Sequence, residues 1–357
     1  MKFCILGDGL TGLALAKALV NLGINVDVFK GSKVNNSDKS RTIGISKNNI
    51  EFFNKNILDI EKFLWEIKKI EIDNENFLKE NLINFEDNNK RLFALIKNYQ
   101  LYKNLLLSLR KNKLFKLKKE IKNYNLFKNN YKLIFNCNPY NSTTKKFFNK
   151  KLKKNYNSYA HTAIIEHKKI LKNHIARQIF TKKGPIAFLP ISERQTSIVF
   201  SARGEKNIKF KEFINKYNNK YEIIKLNNIK NFELKSSHLR SYYHQNILAF
   251  GDLLHKIHPL AGQGFNMSIR DIKLILQLVK FRIDHGLDLD NSIFSDFEKR
   301  SKHKNYIFSN GIDFIYEFFK LASKTKSDIL DQSVKFIGQN KKINKLIIDF
   351  ADNGILI

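Results

Sequence analysis

The chain has 357 residues, of which 43% are hydrophobic and 30 are Phe, so it can bury a packed core and is not a disordered chain. Its formal net charge is +31, from 64 basic and 33 acidic residues, which favours contact with an anionic surface such as nucleic acid or lipid headgroups. Because the lysines are spread along the whole chain, a compositional bias explains most of this charge, and a preference for an anionic membrane is the remaining expectation.

The two cysteines, Cys4 and Cys137, lie in apolar runs that are typical of strands. Their positions fit neither a disulfide framework nor a metal site, which favours a reducing, cytoplasmic compartment. No apolar run reaches the ~20 residues that a membrane-spanning helix needs. The apolar N-terminal stretch is interrupted by three glycines and an aspartate, so we do not interpret it as a signal peptide.

Residues 2–29 have the pattern of a strand, a helix and a second strand. The apolar run KFCIL (2–6) is followed by GDGLTG, by a run with helical spacing and then by INVDVF. Gly7, Gly9 and Gly12 therefore form GxGxxG between a strand and a helix. In a dinucleotide site the first glycine permits the turn, the second admits the pyrophosphate and the third lets the helix pack closely. The sequence predicts such a site here.

The end of the second strand departs from the dinucleotide pattern. An acidic residue normally accepts hydrogen bonds from the adenosine ribose at this position, whereas this chain has Lys30. An ammonium group is only a donor, so Lys30 either contacts a phosphate or points to solvent.

A basic and aromatic segment, KLFKLKKEIKNYNLFKNNYKL (113–133), follows in the middle of the chain. Interleaved bases and aromatics are one pattern of RNA-binding surfaces. The apolar residues of this segment are also spaced as in strands, and we favour that structural interpretation, so binding of nucleic acid is not expected.

The segment GDLLHKIHPLAGQGFN (251–266) contains three of the 15 glycines and one of the four prolines of the chain. It follows a predicted strand, QNILAF (245–250), and leads into an amphipathic helix. The residues that shape this turn are Gly251, Pro259, Gly262 and Gly264. Such a backbone allows a flat ring to approach closely.

The chemistry of this turn suits the polar middle of a flavin dinucleotide. Asp252 lies at the tip of the strand, where its carboxylate would accept from ribityl hydroxyls. Backbone N–H groups of 262–266 would face the pyrimidine edge, where negative charge develops on reduction. His255 and His258 have no carboxylate or cysteine nearby in a recognised ligand spacing, so no metal is expected.

The same segment resembles the second flavin motif of aromatic-ring flavoprotein monooxygenases and, more narrowly, of the ubiquinone-biosynthesis hydroxylases. Three further segments are similar to that family. They are RTIGIS (41–46), HIARQIFTKKGPIAFLPI (174–191) and FSDFEKRSKHKNYIFSNGIDFIYEFF (294–319). The resemblance covers nearly the whole chain.

The resemblance implies FAD as the cofactor, NAD(P)H as the electron donor and O2 as the oxygen source. It assigns flavin binding to the three N-terminal glycines, to one arginine and to the second glycine segment. These residues are Gly7, Gly9, Gly12, Arg41, Gly251, Asp252, Pro259, Gly262, Gln263, Gly264, Phe265 and Asn266. No catalytic base is identified.

The resemblance also implies the fold class and the domains. We expect an α/β fold in which a Rossmann-like FAD-binding domain carries an inserted mixed β-sheet substrate domain and C-terminal helices. The predicted FAD-binding domain comprises residues 1–62, 92–157 and 238–357. The predicted substrate domain comprises residues 63–91 and 158–237.

Two further positions depart from the family pattern. Asn98-Tyr99 stands where the family has Asn-Arg, and Asn138-Pro139 stands where it has Asp-Gly, although Ser142 fits. With Lys30, these changes make three weakened positions around the flavin or nicotinamide. Lys30 lies at the adenosine end, whereas Arg41, Gly251-Asp252 and the segment GQGFN, which surround the reactive ring, are retained. This distribution favours a working enzyme over a relative that has lost its chemistry.

The leading functional prediction is an FAD-dependent monooxygenase that hydroxylates the aromatic ring of a polyprenyl phenol in ubiquinone biosynthesis. We expect it to be cytoplasmic and peripheral on the inner membrane, together with other proteins of that pathway. Two alternatives remain open: a non-catalytic flavin-fold subunit of a ubiquinone-biosynthesis assembly, and a basic RNA-binding protein.

Overall fold

The computed structural model describes residues 2–31, 40–75, 83–87, 89–120, 130–258, 262–324 and 340–354. The helices are α1 (Leu10–Asn21), α2 (Lys47–Asn56), α3 (Asn98–Arg110), α4 (Ser142–Phe147), α5 (Phe210–Tyr217), α6 (Gln263–Asp284), α7 (Ser292–Lys324) and α8 (Lys341–Asn353). The first strands are β1 (Lys2–Leu6), β2 (Asn25–Phe29), β3 (Thr42–Ser46), β4 (Trp65–Ile67), β5 (Lys69–Asn74), β6 (Ile83–Glu86), β7 (Phe93–Lys97), β8 (Phe115–Lys118) and β9 (Leu133–Asn136). The later strands are β10 (Lys151–His167), β11 (Ile175–Thr181), β12 (Gly184–Pro190), β13 (Gln195–Arg203), β14 (Ile223–Leu239), β15 (Tyr243–His244), β16 (Ile247–Ala249) and β17 (His255–Lys256).

A six-stranded sheet contains the N-terminal glycine motif. Its order is β15-β16-β9-β1-β2-β8, and all neighbours are parallel except the β15–β16 pair. The central strands are apolar along their length because helices cover both faces of a parallel sheet. Phe3, Ile5, Ile134 and Phe135 are fully buried. The predicted strand–helix–strand unit at the N-terminus is confirmed.

An eight-stranded mixed sheet and a small antiparallel sheet complete the fold. The large sheet has the order β17-β14-β10-β13-β12-β11-β5-β6, in which only the β11–β5 pair is parallel. The small sheet has the order β3-β7-β4. Helix α5 buries Phe210, Ile214 and Tyr217 in a core with residues of the large sheet, including Phe200. The predicted α/β fold with a mixed second sheet is confirmed.

Some predicted element boundaries differ from the structure. The strand predicted over 245–250 is limited to Ile247–Ala249. Cys137 lies directly after β9 and not inside a strand, and its backbone N–H donates to the Leu6 carbonyl at 2.8 Å. The basic segment at 113–133 supplies β8, an edge strand of the six-stranded sheet, and residues 121–129 of it lie outside the described residues.

The predicted domain division stays a proposal. Its boundaries at 157 and 237 fall inside β10 and β14, the two longest strands, which pair with each other. Residues 151–155 pair with 235–239, so the large sheet extends beyond the predicted substrate segment. In the described parts of the chain, no helix is long and apolar enough to cross a bilayer.

His238, at the end of β14, makes the stability of the fold depend on pH. Its Nε2 lies 2.7 Å from Ser309 Oγ, and burial lowers its pKa to about 4. An unfolded histidine has a pKa of about 6.5, so the unfolded chain binds more protons between these two values. We therefore expect the free energy of unfolding to fall as pH falls from about 6.5 to about 4. His238→Gln should remove roughly 2 to 3 kcal/mol of that change, measured by denaturant unfolding. His285→Gln, at an exposed position, is the control.

Candidate functional site

Three strands of the six-stranded sheet end side by side, and the chain turns sharply after each. These strands, β1, β9 and β16, are parallel neighbours, so their carboxyl ends lie at one edge. A Cβ atom on Gly7, after β1, would lie 3.2 Å from the backbone N of Asn138, after β9. A Cβ atom on Gly251, after β16, would lie 2.9 Å from Thr11 Cγ2 at the start of α1. The two glycine segments predicted to bind flavin therefore meet here.

The three N-terminal glycines have different structural roles. Gly7 has φ +107°, which side chains other than glycine rarely adopt, and its N–H donates to Phe29 O at 2.8 Å. A Cβ atom on Gly12 would lie only 2.2 Å from Gly7 O, so this glycine allows the helix to pack against the turn. A Cβ atom on Gly9 would meet nothing within 4 Å. Open space in front of the α1 N-terminus is what a pyrophosphate requires.

The second glycine segment starts helix α6. Gly262 precedes the helix with φ +65°, and its Cβ would lie 3.4 Å from Gly44 N in β3. A Cβ on Gly264 would meet nothing within 4 Å. Gln263 is buried, and within the described structure its Oε1 has no hydrogen-bond partner. A buried acceptor beside open space fits a ligand that donates a hydrogen bond.

Asn266 joins α6 to the strand β3. Its Oδ1 accepts from Ser46 N and Asn49 Nδ2, both at 3.0 Å, and its Nδ2 donates to Gly44 O at 3.1 Å. The side chain therefore holds the turn in place, and only its backbone remains for a ligand. Phe265 is partly buried and packs near Phe53, with ring centroids 6.4 Å apart.

Asp252 presents its carboxylate at the sheet edge. It lies in a 3-10 turn (Gly251–Leu253), is exposed, and makes no hydrogen bond or ion pair with the residues that the structure describes. Burial raises the pKa of the Cys137 thiol, and the Asp252 charge raises it further, which places the carboxylate near the turn after β9. An acceptor with no protein partner suits ligand hydroxyl groups.

Arg41, one residue before β3, contacts the long strand β14. Its guanidinium lies over the Phe232 ring, 5.7 Å from the centroid, and the residue is exposed. Its carbonyl accepts from Asn98 N at 3.0 Å, which places the predicted Asn98-Tyr99 position beside it. Lys30 is also exposed, and its backbone N–H donates to Lys118 O. Pro259 lies outside the described residues.

Sequence reasoning missed two polar contacts at the sheet edge. Asp8, inside the first glycine segment, is buried and accepts from Gly31 N at 3.0 Å, so it fixes the end of the second strand. Asn138 accepts from Tyr140 N at 2.9 Å, while its own N–H donates to Asn136 Oδ1. Asparagines at a strand end followed by Pro are typical of a turn, and that signal was present in the sequence.

The two histidines of the second segment are structural. His255 Nε2 lies 2.5 Å from Asp271 Oδ2, and Asp271 Oδ1 accepts from Asn305 Nδ2 at 3.1 Å, so the contacts connect β17, α6 and α7. His258 is buried beside Tyr316, and burial lowers its pKa to about 3. Among the described residues, no group of three or more His, Cys, Asp or Glu could hold a metal ion.

Comparison with solved structures shows the fold. The p-nitrophenol 4-monooxygenase of Pseudomonas putida matches with a TM-score of 0.79 at 11% identity, over 99% of this chain and 98% of that one. The Klebsiella pneumoniae protein HpxO, solved with FAD and uric acid, matches with a TM-score of 0.73 at 12% identity, over 99% and 97%. The fold is that of FAD-dependent monooxygenases.

Comparison with curated sequences is more specific. The mitochondrial ubiquinone biosynthesis monooxygenase of Schizosaccharomyces pombe is 26% identical over 126 residues, 35% of this chain and 26% of the relative. The 3-demethoxyubiquinol 3-hydroxylase of Escherichia coli is 28% identical over 152 residues, 40% of this chain and 39% of the relative. The curated relatives that match this chain are ubiquinone-biosynthesis hydroxylases. The matches span less than half of these relatives' lengths, and no protein-family model matches the chain.

Proposed function

We propose that this chain is an FAD-dependent monooxygenase that hydroxylates the aromatic ring of a polyprenyl phenol in ubiquinone biosynthesis. The proposal rests on the open space at Gly9 and Gly264, where an added Cβ atom would meet nothing within 4 Å. The sequence relatives of the chain are ubiquinone-biosynthesis hydroxylases. NAD(P)H is the proposed electron donor and O2 the proposed oxygen source. The proposed location is cytoplasmic and peripheral on the inner membrane, near other proteins of the pathway.

The residues at the sheet edge fit FAD in three places. The space at Gly9 and the N-terminus of α1 would receive the pyrophosphate, because the helix dipole and free N–H groups favour an anion there. Asp252 would accept hydrogen bonds from the ribityl hydroxyls. The backbone between Gly262 and Asn266, including the space at Gly264, would face the pyrimidine edge of the ring.

FAD, when bound, supplies the electron transfer and oxygen chemistry of the reaction. The chain supplies position and electrostatics. The N-terminus of α6 would supply partial positive charge at the pyrimidine edge of the ring, where reduction adds negative charge. The hydrogen bonds of Asn266 to β3 hold that terminus in a fixed orientation, so this charge is organised before the cofactor binds.

Asp252→Ala tests the cofactor site directly. We expect FAD to dissociate about 10 to 100 times more readily, because the loss of a hydrogen bond to a charged group costs about 1 to 3 kcal/mol. The measurement is a titration of apoprotein with FAD, followed by flavin fluorescence. Asp284→Ala removes the same charge from an exposed position at the end of α6 and serves as control. Equal FAD affinity in both variants would remove Asp252 from the site.

A second candidate function is a flavin-fold subunit without catalytic activity. One observation favours it: Lys30 replaces the ribose acceptor. A non-catalytic subunit should bind FAD weakly and consume no NAD(P)H with any phenolic substrate. Stoichiometric FAD binding together with substrate-stimulated NAD(P)H oxidation would exclude it.

A further inference from the structure

A cavity of about 850 Å3 lies apart from the glycine segments, between the long helix α7 and the paired ends of β10 and β14. Apolar and aromatic side chains form much of its lining, and basic groups surround them. The apolar and aromatic lining includes Leu152, Tyr242 and Tyr306, and the basic groups include Arg240, Lys299 and His303. Such a lining suits an amphiphile with an anionic head.

An exposed apolar stripe continues from this cavity along α7. Ile307, Phe314 and Leu321 are 47%, 71% and 53% exposed, and they are spaced seven residues apart. Residues seven apart lie on the same face of a helix, so the stripe is about 21 Å long. Tyr306, which lines the cavity, is 47% exposed and adjoins Ile307. Cavity and stripe therefore adjoin at Tyr306 and Ile307 on α7.

The charge at the cavity end of this surface is positive. The acidic residues of α7 are each paired with a base. The pairs are Asp296 with Arg282, Glu298 with Lys302, Asp313 with Lys154, and Glu317 with Lys320. Arg240, Lys299 and Arg300 are exposed and form no ion pair with the residues that the structure describes. The surplus of positive charge thus lies beside the apolar stripe.

The opposite face of α7 packs towards the proposed flavin site. Phe308, Ile312 and Tyr316 share a buried cluster with Ile257 and Met267, which precede and follow Gly262 and Gly264 in the sequence. An α-helix with its side chains is about 10 to 12 Å across. The exposed stripe is therefore about one helix diameter from this buried cluster.

We propose that this surface docks on a bilayer that contains anionic phospholipid. The docking surface consists of Arg240 and Lys299 at the cavity, which contact headgroup phosphates, and of Ile307, Phe314 and Leu321, which enter the acyl boundary. A helix with an apolar face and neighbouring basic residues binds the interface of an anionic membrane. The inference deepens the proposed function, because a polyprenyl phenol dissolves in a bilayer and would reach the site from it.

The charged half is tested by flotation of the full chain with vesicles of phosphatidylcholine, with or without an equal part of phosphatidylglycerol. We expect the wild type to bind the anionic vesicles, and binding to weaken with added salt. Arg240→Glu/Lys299→Glu should reduce binding at least about tenfold, because each base near the surface contributes to attraction. Lys113→Glu/Lys116→Glu makes the same charge change near β8, at the opposite edge of the six-stranded sheet, and should bind as the wild type does. Equal loss in both double variants would overturn the docking surface in favour of general charge attraction.

The apolar half is tested in the same assay with Phe314→Asp and, separately, Leu321→Asp. Each should weaken binding at least about tenfold, because a charge replaces an inserted apolar group. Leu171→Asp, at a 70% exposed apolar position in a turn, is the matched control and should not change binding. Circular dichroism verifies folding of each variant. If Phe314→Asp and Leu321→Asp leave vesicle binding unchanged but convert a dimer into a monomer in gel filtration, the stripe is a contact between two copies and the proposal is wrong.

Vesicle binding requires neither FAD nor turnover, so its outcome is independent of whether the proposed function is correct. Loss of the docking surface with normal FAD affinity would overturn only the membrane proposal. Loss of FAD binding in Asp252→Ala with normal flotation concerns only the flavin site.

Discussion

Gly9→Val should leave the protein folded and abolish FAD binding at micromolar cofactor. Gly9 has φ −70° and ψ 175°, an extended backbone that valine readily adopts, and a Cβ atom there meets no protein atom within 4 Å. The new side chain would occupy the space proposed for the pyrophosphate. A β-branched side chain in a close-packed site costs up to about 3 kcal/mol, so we expect FAD affinity to fall by about 100-fold.

Flavin fluorescence titration measures this loss, and denaturant unfolding of the apoprotein measures stability. Gly9→Ala adds a smaller side chain and should give an intermediate loss of FAD affinity. If the Gly9→Val protein had the stability and the FAD affinity of the wild type, this result would show that no dinucleotide approaches the first glycine segment.

Gly12→Ala should destabilise the protein strongly even without FAD, whereas Gly9→Val should lower only the affinity for FAD. The added Cβ atom would lie 2.2 Å from Gly7 O, a backbone atom that cannot move without shifting β1 or α1. We expect the free energy of unfolding to fall by about 3 kcal/mol or more, measured by denaturant unfolding without FAD.

Gly264→Ala is the matched control for this substitution. A Cβ atom there meets nothing within 4 Å, and the residue lies in the first turn of α6. Alanine in a helix loses less conformational entropy than glycine, so the apoprotein should be unchanged or slightly more stable. A Gly12→Ala protein as stable as Gly264→Ala would show that the close approach of α1 to the turn is not required.

The N-terminal unit and the start of α6 were predictable because their signals are local. The helix α1 and the strands on either side of it carry an apolar spacing within thirty residues, and GxGxxG marks the turn between them. The segment at 251–266 likewise has its glycines, its carboxylate and its following helix in one short stretch. Local patterns of this kind do not depend on distant partners.

The long strands β10 and β14 were not predictable in their full extent. Residues 151–157 of β10 are mostly polar and mostly exposed, so they carry no alternation of apolar and polar side chains. Their strand conformation comes from pairing with residues 235–239, which are distant in sequence. The domain boundaries implied by the resemblance therefore fall inside strands.

The position of the Arg41 side chain depends on tertiary structure alone. It contacts Phe232 in β14, almost 200 residues away, and no local sequence pattern predicts this contact. The resemblance placed this arginine near the flavin, and that role stays a prediction. The role of Asn266 in joining α6 to β3 depends in the same way on a strand more than 200 residues earlier.

We propose that this chain inserts one atom of dioxygen into the ring of a polyprenyl phenol. The most direct measurement reconstitutes the protein with FAD in phospholipid vesicles, adds a polyprenyl phenol, NAD(P)H and isotopically labelled dioxygen, and determines the product by mass spectrometry. We expect a hydroxylated ring that carries one labelled oxygen, and no product from Gly9→Val. NAD(P)H oxidation without a labelled ring product, across phenols of several tail lengths, would show that the chain is not a ring hydroxylase.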